Sequence, residues 1–227
     1  ALPIFDVLKV NGPNFHITFN KNKGAITSYI YKGIELIKNE LSPNFWRAHT
    51  DNDDGNKLQQ RCITWKNAGE KKKIKSFKIE EDNNKIIIKV EFILSTETPS
   101  KCNMTYIING SGEIEITQEL IPGVNLPEIP EVGMMVNLMK EFENITWYGK
   151  GPHENYCDRS VGARVGLFNG KVNEQLENYL RPQECGNKTD VRWVTLTNRG
   201  GIGIKISGLP LVEINALPYT PKELENS

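Results

Sequence analysis

The chain has 227 residues, of which 38% are hydrophobic and 8% aromatic, enough for a substantial core in one large β domain or two small ones. Lys plus Arg number 28, as do Asp plus Glu; this balance argues against a nucleic-acid or anionic-membrane partner and leaves a neutral sugar open. No apolar run is long enough to cross a bilayer.

Short β-like runs follow one another along the chain. Residues 15–19 (FHITF) alternate, and residues 27–31 and 35–37 flank Lys32-Gly33, a hairpin turn. A turn or two of helix is expected near residues 58–62. Residues 73–80 (KIKSFKIE) and 85–94 (KIIIKVEFIL) read as strands, as do 104–108 and 114–121 around the Asn109-Gly110-Ser111-Gly112 turn. Residues 132–138 follow a Pro127–Pro130 break, and 191–197, 203–206 and 211–214 complete the series. Many short strands and almost no helix predict an all-β fold, an antiparallel sandwich or barrel. Residues 148–186 show little alternation and much polar chemistry, so they are expected to be loop-rich and functional.

The cysteines Cys62, Cys102, Cys157 and Cys185 form no CxxC pair, and only three His are present. Four free, mostly buried thiols in a reducing compartment are expected, not a structural zinc site. The opening ALPIFDVLKV lacks the ordered regions of a secretory signal. A cytoplasmic location is expected, with secretion or the periplasm as the alternatives.

Residues 45–55 (FWRAHTDNDDG) pose the sharpest question. Read as a calcium loop with Gly55 at the invariant glycine, the segment puts Thr50, Asn52 and Asp54 at ligand positions. Its twelfth position is then Arg61, a cation where a bidentate carboxylate is required. The calcium loop fails, and only a looser oxygen site at Asp51, Asp53 or Asp54 stays open. Neither Gly149-Lys150-Gly151-Pro152 nor Gly200-Gly201-Ile202-Gly203 opens a helix after a strand, so neither is a dinucleotide fingerprint. No nucleophile motif accompanies His16, His49 or His153. In TDVRWVTLTN a period of two puts Val191, Trp193 and Thr195 on one face and Asp190, Arg192, Val194 and Leu196 on the other. An Asp190–Arg192 pair pinning the strand end is favoured over a guanidinium lining a pocket. His153, Glu154, Asn155, Tyr156, Asp158 and Arg159 are types that bind sugar hydroxyls and equally types that stitch a loop to itself.

Taken in order, FWRAHTDNDDG, WYGKGPHENYCDRSVGA and RPQECGNKTDVRWVTLTN resemble the C-terminal small-chain domain of glycoside hydrolase family 2 β-galactosidases, from about Phe5 to Tyr219. There the segments read roughly FWRAPTDND-G, W-G-GP-ENY-DR and PQE-G-RTDVRW. The resemblance implies a large antiparallel supersandwich like that of galactose mutarotases. It implies one domain over 1–227, a C-terminally truncated piece of an enzyme that hydrolyses terminal β-galactosides such as lactose with two glutamates on a barrel. Neither glutamate has a counterpart here, so no catalytic residue and no cofactor is assigned to this chain; Mg or Na would belong to the parent. Asn56, Lys57, Leu58, Gln59, Gln60 and Arg61 match a substrate-proximal loop of the family. Arg47, Asp51, Asn52, Asp53, Glu154, Asn155, Tyr156, Asp158, Arg159, Gln183, Glu184, Asp190 and Arg192 are expected to shape the loops around it. Phe45 and Trp46 are expected to anchor the first motif in the core. The implied partners are the other domains of the same polypeptide and, indirectly, the galactoside, in a homo-oligomeric parent. A sugar-stacking tryptophan of the family lies beyond Trp46, Trp65, Trp147 and Trp193. His49 replaces a common Pro, Cys185 a common Asn, and Cys157 fills a variable gap. Two other readings are a free-standing mutarotase-like enzyme using His153 with Glu154 or Glu184, and a carbohydrate-binding module.

Overall fold

The computed structural model describes residues 6–225. The first five residues, on which part of the ALPIFDVLKV reading rests, and the last two lie outside the described residues. Every named sheet is antiparallel, and the fold is an all-β sandwich type. Two compact units divide the chain, one drawn from 1–47 and 57–139, the other from 48–56 and 140–227.

In the first unit, β1 (Val7–Gly12), β2 (Phe15–Asn20), β3 (Ala25–Tyr31) and β4 (Ile34–Glu35) pair in chain order. Lys32 and Gly33 both take positive φ, 49° and 79°, as a two-residue hairpin requires. β5 (Ser42–Asn44) makes a separate two-stranded ribbon with a later strand. The second sheet is built by β6 (Lys73–Asp82), β7 (Lys85–Leu94), β8 (Ser100–Ile108) and β9 (Ile114–Ile121), again in order. Asn83 and Asn84 turn the first of its hairpins at φ 43° and 65°. Alternation does the packing. Phe15, Ile17 and Phe19 of β2 point inward, as do Ile88, Val90, Phe92 and Leu94 of β7 and Cys102, Met104, Tyr106 and Ile108 of β8. The Phe19 ring lies 5.2 Å from Tyr106 and 5.6 Å from Phe77, so the two sheets face one another. Burial of each such side chain contributes about 1.5–3 kcal/mol. The expected strand over 132–138 shrinks to β10 (Gly133–Met135), the partner of β5, with a single bridge from Leu138 to Ile37.

In the second unit, β11 (Asn144–Gly151), β12 (Arg164–Lys171), β13 (Lys188–Thr197) and β14 (Gly203–Ile214) form one sheet in the order β12-β11-β13-β14. Ile145, Trp147, Val191 and Val194 are its buried centre, flanked by Phe168, Leu196 and Ile206. Residues 148–186 are loop-rich as expected, and they also hold the end of β11 and the whole of β12, where glycines at 149, 151, 166 and 170 interrupt the apolar alternation that marks a strand. Two sequence readings are corrected here. Residues 203–206 and 211–214 belong to one strand, β14. The strict period of two in β13 breaks, since Val191 and Val194 are both buried. Register shifts between Lys188 and Val191 and between Val191 and Trp193, with Asp190 at φ 51°, insert a bulge that turns Val191 to the core.

Helix is scarce. The expected turn is α2 below, but α1 (Asp51–Gly55) and α3 (Pro221–Glu225) are additional to the reading. α1 is five residues long with Thr50 as its N-cap and Asp53 closing a capping box. This T-x-x-D spacing was legible in the sequence. α2 (Leu58–Arg61) starts at Lys57, held left-handed at φ 60°.

Candidate functional site

Within the second unit the third motif meets residues 49–54 of the first and the HENY segment of the second. Thr50 caps α1 by accepting the Asp53 amide at 3.3 Å, while the Asp53 carboxylate accepts the Thr50 amide at 2.8 Å and its hydroxyl at 3.0 Å. Arg181 then clamps the helix from outside. Its guanidinium donates to Asp54 and to His49 Nε2, and it lies 3.9 Å from Asp51. A guanidinium offers only hydrogens, so His49 Nε2 accepts, and Nδ1 faces Glu225 of α3 at 3.5 Å. Gln183 accepts the Asp51 amide at 3.3 Å. The RPQE segment therefore binds the DNDDG helix directly. His49, where the resembled family has Pro, has become part of that clamp.

The HENY motif forms a second, more buried knot. Asn155 is fully buried and satisfied: its side-chain oxygen accepts the Thr189 amide at 2.9 Å and hydroxyl at 2.6 Å, and its amide group donates to the His153 carbonyl at 3.0 Å. Asn187 returns the contact, donating to the Asn155 carbonyl at 3.0 Å and to Glu213 at 3.1 Å. Glu154 accepts from Arg159, from Tyr179 and from the Gly186 amide at 2.7 Å. Burial pushes the Glu154 carboxyl up, but these three donors outweigh it and hold the group below its ordinary range. The same contact, led by the Glu154 hydrogen bond, raises the Tyr179 hydroxyl. Lys188 is buried with its ammonium on the Gly186 carbonyl at 2.9 Å and over the Trp147 ring at 5.3 Å; desolvation lowers its pKa. Arg159 also stacks over Tyr156 at 4.9 Å, and burial, then Glu184 and Glu154, raise the Tyr156 hydroxyl. Glu184 accepts from Asn215. Asp158 is exposed, as are His153 and Cys157.

The expected Asp190–Arg192 ion pair is replaced by a different arrangement. Because the bulge turns Asp190 into the left-handed region, its carboxylate pairs with Lys150 at 3.1 Å, while Arg192 donates to the Asp190 main-chain carbonyl at 2.6 Å and lies over Tyr148 at 5.5 Å. Arg181, Asn187, Lys188 and Thr189 lie in the third motif without being singled out as site residues, and Tyr179 lies just before it, where only the density of polar types points to it.

The other site residues are placed as follows. Phe45 and Trp46 are buried at 1% and 4% exposure, as expected of anchors. Arg47 acts on Glu131, whose carboxyl burial raises and whose pKa Asn44 and Arg47 pull back. Asn52 is exposed on α1, and Asn56 caps its C-terminus, its main-chain N–H donating to the Asn52 carbonyl at 3.1 Å. Lys57, Gln60 and Arg61 are exposed, Gln59 is half-buried and Leu58 is buried, so residues 57–61 form a helical turn pinned by one apolar side chain. Arg61 donates to Glu128. All four cysteines are free, and only Cys157 is exposed. Burial pushes the Cys102 thiol up to about 11, which leaves it protonated and unreactive near neutral pH. Among the described residues no three His, Cys, Asp or Glu side chains group as metal ligands; the Asp53 and Asp54 carboxylates serve Thr50 and Arg181 instead.

Chemically this arrangement is a lock. Its buried carboxylate, amides and ammonium each have partners within the fold, and Glu154 is held ionised, which unsuits it to donate a proton. Comparison with known proteins agrees with the family that the motifs resemble. A family model described as the β-galactosidase small chain matches residues 11–227. The chain belongs to the β-galactosidase small-chain family. This small chain is 51% identical over 218 residues to a β-galactosidase of Priestia megaterium, covering 96% of the chain and 21% of that protein. It is 34% identical to a β-galactosidase of Lactobacillus delbrueckii subsp. bulgaricus, covering 96% of the chain and 22% of the relative. With a β-galactosidase of Clostridium acetobutylicum it shares 37% identity over 159 residues, 70% of the chain and 18% of the relative. The small chain thus spans about a fifth of the length of these curated relatives.

Proposed function

We propose that this chain acts as a non-catalytic domain of a longer β-galactosidase, and that the complete protein hydrolyses terminal β-galactosides with glutamates outside residues 1–227. The observation that carries the reading is that the third motif binds both of the others, Arg181 and Gln183 clamping α1 and the Gly186 amide holding Glu154, in a chain that matches its relatives over a fifth of their length. Such a network holds a shape. It supplies no free acid–base pair, which also counts against a mutarotase-like role for His153 with Glu154 or Glu184. In this reading α1 and its clamp fix Asn56, from which residues 57–61 lead toward a substrate held by other parts of the polypeptide. The same reading makes residues 1–227 a single supersandwich domain beside the further domains of the polypeptide, which acts in the cytoplasm as a homo-oligomer. Mg or Na would serve the parent through residues elsewhere.

The test is an assay on nitrophenyl β-galactoside of the complete polypeptide and of residues 1–227 alone, both purified from a host lacking the activity. The complete protein turns over and the chain does not. Turnover by the chain alone would overturn the reading.

A further inference from the structure

The sheet of the second unit has one face committed to the Trp147 core and a second face that is open. On that second face Tyr148 stands between Leu167 of β12 and Trp193 of β13, as direct cross-strand partners, and Val165 pairs with Lys150 in the next row. Leu167 is 64% exposed, Val165 43% and Tyr148 40%. Single exposed apolar residues are ordinary, but a contiguous row across three strands marks an interaction surface. Cations frame it. Arg192 lies over Tyr148, Lys205 lies 5.2 Å over Trp193, and Lys150 sits beside Val165, with Asp190 as the carboxylate among them. Each ring already carries a cation over a face, and Leu167 and Val165 offer no ring on which a sugar could stack. The surface therefore suits protein better than carbohydrate.

We propose that this face, Val165 and Leu167 with Tyr148 and Trp193, is the surface on which another segment of the longer β-galactosidase polypeptide docks, through an apolar patch rimmed by acidic side chains. The inference rests on the reading above. The occupant is argued from the relatives, in which a chain of this length accounts for about a fifth and most of the polypeptide remains to supply the cover. The acidic rim follows from the excess of cations on the face.

The experiment introduces Leu167→Cys, Val165→Cys and, as a control at a fully exposed position, Val161→Cys into the complete polypeptide. Maleimide labelling is followed by mass spectrometry of the peptide carrying each site. Labelling at 165 and 167 should be at least tenfold slower than at 161, at every protein concentration. Equal rates overturn the proposal. Protection that disappears on dilution assigns the face to a second copy and also overturns it, as does a gene that encodes nothing beyond this chain. Galactosidase activity of the same preparations separates the two readings. An active enzyme that labels freely at 167 sinks only the docking face, whereas an inactive polypeptide that protects 167 sinks only the assigned activity. Val165→Cys keeps the test alive if Leu167→Cys does not fold.

Discussion

Glu154 takes a guanidinium, a phenol and a main-chain amide on one buried carboxylate, and each of those donors comes from a different part of the chain. Glu154→Gln keeps the shape but replaces one acceptor by an amide that can only donate. It sets an N–H against an N–H or a guanidinium. A charge-assisted bond is worth about 1.5–3 kcal/mol and an orphaned buried donor costs a similar amount, while the half-exposed end of Arg159 is screened and adds little. The variant should lose about 2–3 kcal/mol, read by urea unfolding at neutral pH. The sign with pH follows from the lowered carboxyl. The stabilisation is fully present above the unfolded carboxyl's value of about 4.3 and disappears as pH falls through the lower folded value. The two unfolding curves should therefore approach one another in acid; a gap that stays constant from neutral pH into strong acid would show the carboxylate is not the cause. The residue types of this knot were legible in HENY, DR and PQE. Their partners were not, because Tyr179 lies 25 residues and Thr189 34 residues beyond the groups they bind, and no local period reaches that far.

At the scale of elements, WYGKG and TDVRW explain one another. A Cβ on Gly149 of β11 would stand 2.8 Å from the Val191 main chain and 3.1 Å from the Asp190 carbonyl, where the bulge in β13 swings toward the neighbouring strand. The glycine is there to admit the bulge, and the bulge is what brings Val191 into the core and leaves Asp190 to Lys150. Gly149→Ala should cost about 1–3 kcal/mol, as overpacking does, seen as a lower urea midpoint with an unchanged slope. A wild-type midpoint would mean β13 moves aside freely. Strands dense in β-branched and other apolar residues, such as KIIIKVEFIL, were readable to the residue. β11 and β12 were hidden because glycine removes the apolar mark at the positions where another backbone or ring comes close. α1 was readable in principle from its capping box, but five residues are too few for a helical period to appear. α3 is as short.

For the molecule as a whole, charge and surface point the same way. Positive and negative side chains balance at 28 each, so near neutral pH no net repulsion keeps copies of the chain apart. The open face of the second unit meanwhile presents Leu167, Val165 and Tyr148 together. Residues 1–227 prepared without the rest of a longer polypeptide should therefore self-associate at pH 7 through that face. Two copies bring like cations, Lys150, Arg192 and Lys205, against each other, so the association should be weak and should tighten as salt screens them. Val165→Lys with Leu167→Lys puts two further cations in the apolar row and should return the chain to monomer under the same conditions. Both positions are exposed on an edge strand, so the substitutions should leave stability within about 0.5 kcal/mol. Sedimentation velocity across a range of protein and salt concentrations decides the matter. Association that survives both lysines belongs to some other surface, and a chain that stays monomeric throughout has no exposed face in need of a cover.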